Sequence, residues 1–193
     1  MNVRVLTVSE LPEAVKLAQG VFNYCLRRSL QRPEDITYFE EYTQEENLRT
    51  LMEQGRLTLW GSFEMGHMVA MSAMQREGHI TLLYVLPVYQ RRGYGKMLLR
   101  AMRIYAGERF GLSFVTVNAM PPWTSRFFQN QGFGMENGGA GNPLSYVPMR
   151  AKTIHEVHFA TKPVPAGWLI GTTVGGLGLS MVIAAIYIVS TLV

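Results

Sequence analysis

The stretch "LYVLPVYQRRGYGKMLLRAM", residues 83–102, restricts the fold of this chain more than any other. An apolar run passes through a basic turn that contains two glycines and continues at once into a helical pattern. Apolar side chains recur on one helical face, at Tyr94, Met97, Leu98, Ala101, Met102 and Tyr105. Lys96, Arg100 and Arg103 fall on the opposite face. The pattern predicts a buried strand joined by a tight turn to an amphipathic helix, as in a mixed α/β domain.

The turn itself, Gln90 to Lys96, is predicted to bind an anion. The first turn of a helix offers backbone N–H groups without internal partners, and the helix dipole adds about half a positive charge there. Glycines let the backbone approach a ligand, and Arg and Lys add charge, which suits a pyrophosphate. The chain lacks the phosphate-loop motif of nucleotide hydrolases and a complete GxGxxG motif, so both of those classes are disfavoured. The alternative is a basic surface turn whose glycines serve backbone geometry alone.

Hydrophobic periodicity predicts the remaining elements. A strand at 3–8 precedes a helix that Ser9 caps and that runs to about Leu30, and 32–55 holds one or two helices with Thr43 as an internal cap. The helix that begins near Tyr94 is predicted to end between Gly107 and Gly111. The other predicted elements are strands at 56–64, 67–75, 79–87, 112–118, 132–136 and 144–151, and a short helix at 123–131.

The C-terminal segment is free of charge after Lys162. The 26 residues from Trp168 to Val193 exceed the roughly 20 that a helix needs to cross a bilayer. A buried core helix is the alternative, but a helix that is apolar all round needs protein on every side. The sequence therefore predicts a domain at 1–152, a linker at 153–166 and a transmembrane helix at 167–193, which contacts the bilayer through 168–193.

The charges and small residues around this segment predict its orientation and a mode of association. Basic residues precede it and none follows, so the positive-inside rule predicts a single-pass membrane protein with its domain in the cytoplasm. The N-terminus shows no apolar leader of the signal-peptide type. Gly167, Gly171 and Gly175 recur every four residues, a spacing that lets two helices pack closely as a homodimer. Alternatively, small residues are simply common in membrane helices.

Composition limits the classes of ligand. Eighteen Lys and Arg against fourteen Asp and Glu give a net charge of +4, which does not indicate a nucleic-acid partner and suits a small anion equally well. Cys25 is the one cysteine, so the chain can form neither an internal disulfide nor a CxxC site. His155 and His158 lie three residues apart with no third ligand evident, and no metal site is predicted.

The motif "QRRGYG" resembles the Q/R-x-x-G-x-G/A signature of the GNAT superfamily of N-acetyltransferases. "LLYVLPVYQ" resembles the strand that precedes that signature, and "RFFQNQGF" resembles the F-Y-x-x-x-G-F segment of the family's last helix. The resemblance covers about residues 1–152. It implies the GNAT acyltransferase fold, a mixed α/β domain whose mostly antiparallel sheet has a splayed central strand and flanking helices, with acetyl-coenzyme A as cosubstrate.

The resemblance also implies where acetyl-coenzyme A binds. The main chain at Tyr84 and Val85 would lie along the pantetheine arm, and Phe128 would lie beside it. Asn118 would face the cofactor or the acceptor, unless it is a simple turn residue at the end of a strand. The implied phosphate-binding residues are Gln90, Arg91, Arg92, Gly93, Tyr94, Gly95 and Lys96.

The implied reaction is direct attack of an acceptor amine on the thioester in a ternary complex. An alkyl amine with a pKa near 10.4 must first lose a proton to a base. The strand "HITLLYV" contains no acid, so Glu77 and His79 are the nearest candidates, and His79 has the better intrinsic pKa; a surface turn residue is the alternative.

The departing thiolate raises a second question about the chemistry. Many family members supply a Tyr where this chain has Phe128, so Tyr146 and Tyr84 are the hydroxyls to consider. Otherwise water serves, the thiolate departs unassisted, or catalysis is weak. The alternative function is a membrane-anchored module that binds coenzyme A with little or no catalysis, as a sensor or interaction protein. No residue pattern identifies the acceptor.

Overall fold

The computed structural model describes residues 2–30, 32–136 and 146–155. Its strands are β1 (Asn2–Val5), β2 (Leu57–Glu64), β3 (His67–Gln75), β4 (His79–Val85), β5 (Phe114–Ala119), β6 (Gly134–Met135) and β7 (Val147–Lys152). Its α-helices are α1 (Leu11–Val21), α2 (Pro33–Tyr42), α3 (Glu45–Glu53), α4 (Tyr94–Phe110) and α5 (Ser125–Gln129). A π-helical turn, Phe22–Leu26, and a 3-10 turn, Arg27–Ser29, extend α1.

In the described part of the chain, the strands form one seven-stranded sheet in the order β1-β2-β3-β4-β5-β7-β6. All neighbours pair antiparallel except β4 and β5, which are parallel. Parallel neighbours need a crossover connection, and α4 supplies it by carrying the chain from the end of β4 to the start of β5. The structure therefore confirms the predicted mixed, mostly antiparallel sheet with a strand–turn–helix crossover.

Helices cover the sheet on both faces. On one face, α1, α2 and α3 pack their buried side chains, such as Phe22, Phe39 and Leu48, against β2, β3 and β4. On the other face, α4 buries Leu98 and Met102 against β3, β4, β5 and β7. These two cores hold β4 between them, so the central strand contacts helices above and below.

Two predicted helix caps are wrong, and side-chain contacts explain both. The carboxylate of Glu10 accepts the Thr7 N–H at 2.9 Å, so Thr7 rather than Ser9 begins the helical region. The N-cap of α3 is Gln44. The Thr43 hydroxyl instead donates to the Phe39 carbonyl at 2.8 Å and ends α2, since a Thr side chain competes for the carbonyl one turn earlier.

The predicted end of α4 is right at Gly111 and wrong at Gly107. Gly111 has φ of 66° and closes the helix in the left-handed conformation that glycine tolerates. Gly107 lies inside the helix, where a Cβ atom would stand 3.0 Å from His155 Cε1 and 3.2 Å from the Ile154 carbonyl oxygen. Glycine at this position permits the segment after β7 to pack directly on α4.

The membrane prediction concerns residues that the structure does not describe. Among the described ranges, no helix is long and apolar enough to cross a bilayer. The predicted span at 167–193 and the linker beyond residue 155 lie outside those ranges.

Candidate active site

A wedge-shaped cleft opens between the two parallel strands. β4 and β5 pair only through His79 with Thr116 and Ile80 with Val117, and beyond these two pairs the strands separate. The cleft has a volume of about 640 Å³. Its lining comes from β4, β5, the turn before α4, α5 and the end of α1, and includes Thr81, Tyr84, Val85, Gln90, Arg91, Gly93, Tyr94, Gly95, Lys96, Asn118, Phe127 and Phe128. The central strand is therefore splayed from its neighbour.

A β-bulge at Thr81 marks the point where the strands part. Ile80 pairs with Met74 and Leu82 pairs with Ala73, which leaves Thr81 as the extra residue on β4. Ile80 consequently packs on the α4 side of the sheet and Leu82 on the α1 side, although regular alternation would put both on one side. Since a bulge bends its strand, it turns β4 away from β5 directly after their last pair.

The turn before α4 exposes backbone amides at the mouth of the cleft. Arg91 has φ of 62° and Gly93 has φ of 95°, so two residues within a stretch of three adopt positive backbone φ angles. The first bond into the helix runs from the Met97 N–H to the Gly93 carbonyl at 3.0 Å. The amides of Tyr94, Gly95 and Lys96 precede that bond and form a concave donor surface, which is the geometry that binds phosphate oxygens.

Gly95 keeps the floor of this turn open. A Cβ atom there would lie 3.2 Å from Cζ of Phe127 and 3.8 Å from Cγ2 of Val85, so any side chain would fill space between α4, α5 and β4. The glycine therefore lets a ligand reach the helix backbone.

Side chains of the turn divide into ligand-facing and structural groups. Arg91, Arg92 and Lys96 are exposed, and the Arg92 guanidinium lies 5.5 Å from the Tyr89 ring centroid. The Gln90 amide donates to the Val85 carbonyl at 3.0 Å, which fastens the turn to the end of β4. Three cations thus surround the mouth of the cleft, whereas Gln90 holds its shape.

Tyr94 anchors the start of α4 through its side chain. The ring is only 2% exposed, and its hydroxyl donates to the carboxylate of Glu64 at the end of β2. This hydrogen bond to Glu64 raises the pKa of the Tyr94 hydroxyl. The group that Tyr94 offers to a ligand at the helix start is its backbone amide.

His79 lies at the closed end of the wedge. Its Nδ1 is 2.8 Å from the Thr116 hydroxyl on the neighbouring strand, and burial lowers the pKa of its imidazole, with a smaller opposing effect from Glu77. Glu77 itself is exposed in the turn that precedes β4. Neither residue is among those that line the cleft, and His79 directly precedes Ile80, which does line it.

The predicted aromatic residues occupy different surroundings. Phe128 is 7% exposed, lines the cleft and packs its ring 5.5 Å from that of Phe133. Tyr84 contacts the Phe39 ring edge-on at 5.8 Å, and burial raises the pKa of its hydroxyl. Tyr146 is half-buried in a bend just before β7 and is not part of the cleft lining that the structure describes.

Asn118 and residues of α1 complete the walls. Asn118 is exposed on β5, pairs with Pro148 and lines the cleft. Val21, Cys25 and Leu26 line the opposite wall, which the sequence did not indicate. They reach it because the helix continues beyond α1 as a π-helical turn.

Sequence reasoning also missed a pair of hydroxyls at the bulge. Tyr42, the last residue of α2, donates from its hydroxyl to Thr81 Oγ1 at 3.0 Å. The two residues are 39 positions apart, so no local pattern connects them.

Among the residues described, no three His, Cys, Asp or Glu side chains lie close enough together to hold a metal ion.

Comparison with known protein families and sequences gives one match. A family model described as an acetyltransferase (GNAT) domain matches residues 28–153. No curated protein sequence matches the chain.

Solved structures share the fold. The PaiA N-acetyltransferase of Thermoplasma acidophilum, in complex with coenzyme A, has a TM-score of 0.65 at 16% identity over 79% of this chain and 99% of its own. A GCN5-related N-acetyltransferase from Rhodopseudomonas palustris has a TM-score of 0.65 at 19% identity over 78% and 94%. A GNAT-family acetyltransferase from Staphylococcus aureus has a TM-score of 0.62 at 13% identity over 79% and 99%. At these identities the likeness concerns the fold alone.

Proposed function

The chain belongs to the GNAT family of acetyltransferases and is an N-acetyltransferase that uses acetyl-coenzyme A; on this premise we propose that it transfers the acetyl group directly to a primary amine in a ternary complex. The observation that carries the proposal is the wedge between β4 and β5, with a cationic, amide-rich turn at its mouth. An extended apolar arm with a pyrophosphate end requires this combination.

The described residues fit such a molecule. Beyond Ile80, β4 has no partner strand on its β5 side, so backbone groups there are available to the amides of a ligand. The amides of Tyr94, Gly95 and Lys96 donate hydrogen bonds to phosphate oxygens, and Arg91 and Arg92 add charge-assisted contacts. When bound, acetyl-coenzyme A supplies an acyl group activated as a thioester.

His79 is the proposed base. The Thr116 hydroxyl is hydrogen-bonded to His79 Nδ1 at 2.8 Å, which leaves Nε2 of the imidazole to accept the proton of the attacking amine. Since burial lowers its pKa, the imidazole is neutral and able to accept that proton at neutral pH.

The test is coenzyme A release by the full chain across polyamines, amino acids, aminoglycosides, peptides and amino lipids. We expect turnover with at least one amine class, and its loss on Arg92→Ala or Gly95→Trp, because both changes weaken binding in the turn. Coenzyme A binding without release above the spontaneous rate, for every amine, would instead support a non-catalytic sensor or interaction module; the absence of a hydroxyl at Phe128 is the observation that favours it.

We also propose that residues 168–193 tether the domain to a membrane, with the domain on the cytoplasmic side. The uncharged 26-residue segment and the basic residues Arg150, Lys152 and Lys162 before it support this arrangement. We expect the full chain to sediment with lipid vesicles and a chain that ends at residue 156 to remain in solution. Equal partitioning of the two chains would contradict the tether.

The tail is further proposed to form a homodimer through its small residues. Gly167, Gly171 and Gly175 provide the close-packing stripe. We expect Gly171→Ile to abolish cross-linking of the full chain in detergent micelles, whereas Leu169→Ile should preserve it. Unchanged cross-linking in Gly171→Ile would rule out this interface.

A further inference from the structure

We propose that the Thr81 hydroxyl, held by Tyr42, donates a hydrogen bond to the coenzyme A sulfur as the thiolate leaves. The inference rests on the proposed function. It assigns to Thr81 and Tyr42 the assistance to the departing thiolate that Phe128 cannot give because it has no hydroxyl. Thr81 is the catalytic group because it touches the cofactor, and Tyr42 is a positioning residue that acts through it.

The hydrogen bonds around Thr81 suit a donor. Tyr42 donates to Thr81 Oγ1 at 3.0 Å, so one lone pair of the Thr81 hydroxyl is engaged from the α2 side. The hydrogen of Thr81 points to the Ala73 carbonyl at 3.4 Å, a long and therefore weak contact. The Thr81 hydroxyl thus accepts a good hydrogen bond but donates only a weak one. It would form a stronger hydrogen bond by turning its hydrogen to an anion in the cleft.

Thr81 is located where the thioester of the proposed ligand would lie. Thr81 lines the cleft and is the bulged residue directly after the Ile80–Val117 pair, where the strands part. His79, the proposed base, lies two residues before it on the same strand. The turn at Arg91 and Gly93 marks the phosphate end, so the thioester of an extended ligand lies at the other end, beside Thr81.

The other hydroxyls that line the described cleft are either hydrogen-bonded within the protein or carried by rings that lie away from its closed end. Tyr94 donates to Glu64, and the Thr124 hydroxyl donates to the Pro121 carbonyl at 2.7 Å. Tyr84 packs against Phe39 on the α2 side, and Tyr89 lies beside Tyr94 at the phosphate end. Thr81 is the one that is located at the closed end of the wedge.

Tyr42 is suited to its supporting role because it stays protonated. Burial, together with the nearby Tyr38, raises the pKa of its hydroxyl above the ordinary value of 10.0, while its bond to Thr81 lowers it less. It therefore remains a donor throughout the neutral range. Its ring is stacked with that of Tyr38 at 6.0 Å, which fixes the direction of the hydroxyl.

The transfer step balances without another reactant. The acceptor reaches the site as the neutral amine, its ammonium proton having gone to solvent. Its nitrogen forms a bond to the thioester carbonyl carbon and loses a second proton to His79 Nε2. The carbon–sulfur bond breaks, and sulfur leaves with the electron pair as a thiolate. Thr81 keeps its proton and donates a hydrogen bond to that sulfur; solvent later takes the proton from His79.

The experiment measures the thiol pKa of bound coenzyme A by thiolate ultraviolet absorbance, using the full chain. A donor to sulfur stabilises the thiolate and lowers that pKa, so we expect a lower value for bound than for free coenzyme A. Thr81→Val should raise the bound value to that of free coenzyme A, Thr81→Ser should preserve it, and Tyr42→Phe should raise it partway. With an amine found to be a substrate, Thr81→Val should lower kcat about tenfold to a hundredfold, the range for hydrogen bonds to charged groups.

Matched controls separate this role from a structural one. Thr58→Val changes a strand threonine outside the cleft, and Tyr38→Phe changes a tyrosine one turn before Tyr42; neither should alter the thiol pKa. A thiol pKa that is unchanged in both Thr81→Val and Tyr42→Phe, with coenzyme A bound, would overturn the inference and leave the proposed function intact. Failure of the wild-type chain to bind coenzyme A in calorimetry would overturn both. If Thr81→Val has a lowered melting temperature, the thiol pKa of bound coenzyme A is compared between Tyr42→Phe and Thr81→Ser instead.

Discussion

Gln90 and Tyr94 lie in the middle of the signature turn, yet each uses its side chain to hold the protein together. Gln90 fastens the turn to Val85, and Tyr94 fastens α4 to Glu64. The ligand-facing groups of this turn are backbone amides whose direction depends on the left-handed residues Arg91 and Gly93. Sequence could predict the anion site from its charge and glycines. It could not divide the residues into those that bind and those that brace, because that depends on contacts with distant strands.

Gly95 provides the first prediction at this scale. Gly95→Ala should weaken coenzyme A binding about tenfold, or roughly 1.4 kcal/mol, since the new methyl lies 3.2 Å from Phe127 Cζ and occupies the ligand's approach. Isothermal titration with coenzyme A measures the change. The matched control is Gly20→Ala in α1, where nothing lies within 4 Å; it should raise stability by roughly 0.5–1 kcal/mol and leave binding unchanged. Unaltered affinity in Gly95→Ala would show that the ligand does not reach this backbone.

His79 provides the second prediction. Protonation of the imidazole removes the base, so activity should fall as pH decreases, with a midpoint below the ordinary 6.5 because burial lowers the pKa. His79→Gln should cost about a hundredfold or more in kcat/KM at neutral pH. The ratio of wild-type to variant rates cancels the ionisation of the amine and should decline towards acid pH. His67→Gln, an exposed histidine at the start of β3, should keep the wild-type profile; a constant ratio would remove His79 as the base.

At the scale of helices and strands, the sequence predicted those limits that depend on neighbouring residues alone. Strand β3 was predicted with its observed limits, and α4 with its observed start, because an apolar run bounded by turns and a glycine-containing turn are signals that act over short distances. The bulge at Thr81 was not predicted, since it arises from pairing with β3. The cap at Ser9 was wrong for a similar reason: Ser9 and Thr7 are both good caps, and the contact of Glu10 with Arg4 decides between them.

That start of the helical region yields a pH-dependent prediction. Hydrogen bonds from Arg4, and then from Thr7, lower the pKa of Glu10 from 4.5 to about 2. A lowered acid pKa stabilises the fold fully above the unfolded value, and the contribution disappears as pH falls from about 4.5 to about 2. Glu10→Gln should therefore lower stability at neutral pH by roughly 1 kcal/mol, comparable to the loss of a helix cap.

Thermal melts between neutral pH and pH about 3 test the Glu10 prediction. The difference in Tm between wild type and Glu10→Gln should narrow as the pH falls. Glu53→Gln, an exposed carboxyl at the end of α3, should change Tm little at any pH. A difference that is independent of pH would mean that the carboxylate charge contributes nothing.

At the scale of the whole molecule, the boundary of the domain is set by contacts after β7. Two backbone hydrogen bonds hold the residues that directly follow β7. The Thr153 N–H bonds to the Ser113 carbonyl at 3.0 Å, and the Ile154 N–H bonds to the Arg103 carbonyl at 3.2 Å. These bonds attach the segment after β7 to α4 and to the start of β5. These contacts could not be predicted from the sequence because the segment carries no helical or strand period.

Truncation tests the boundary. A chain that ends at residue 156 should fold and bind coenzyme A as tightly as the full chain, measured by thermal melts and titration in detergent. A chain that ends at residue 152 lacks both backbone bonds and should melt several degrees lower, since about 1 kcal/mol shifts Tm by roughly 2–8 °C in domains of this size range. Equal melting temperatures for the two truncations would show that residues 153–156 do not stabilise the domain.

The two paired positions between β4 and β5 also have a mechanical meaning. The sheet consists of two parts, one of β1, β2, β3 and β4 and one of β5, β7 and β6. They are joined at the His79 and Ile80 pairs, by the hydrogen bond of His79 with Thr116 and by the packing of α4. A molecule that hydrogen-bonds along the open edge of β4 and fills the wedge acts as a brace between the two parts. We therefore expect a bound donor to do more than supply an acetyl group: by filling the wedge it should restrict relative motion of the two parts of the sheet, next to Thr81 and the proposed base His79.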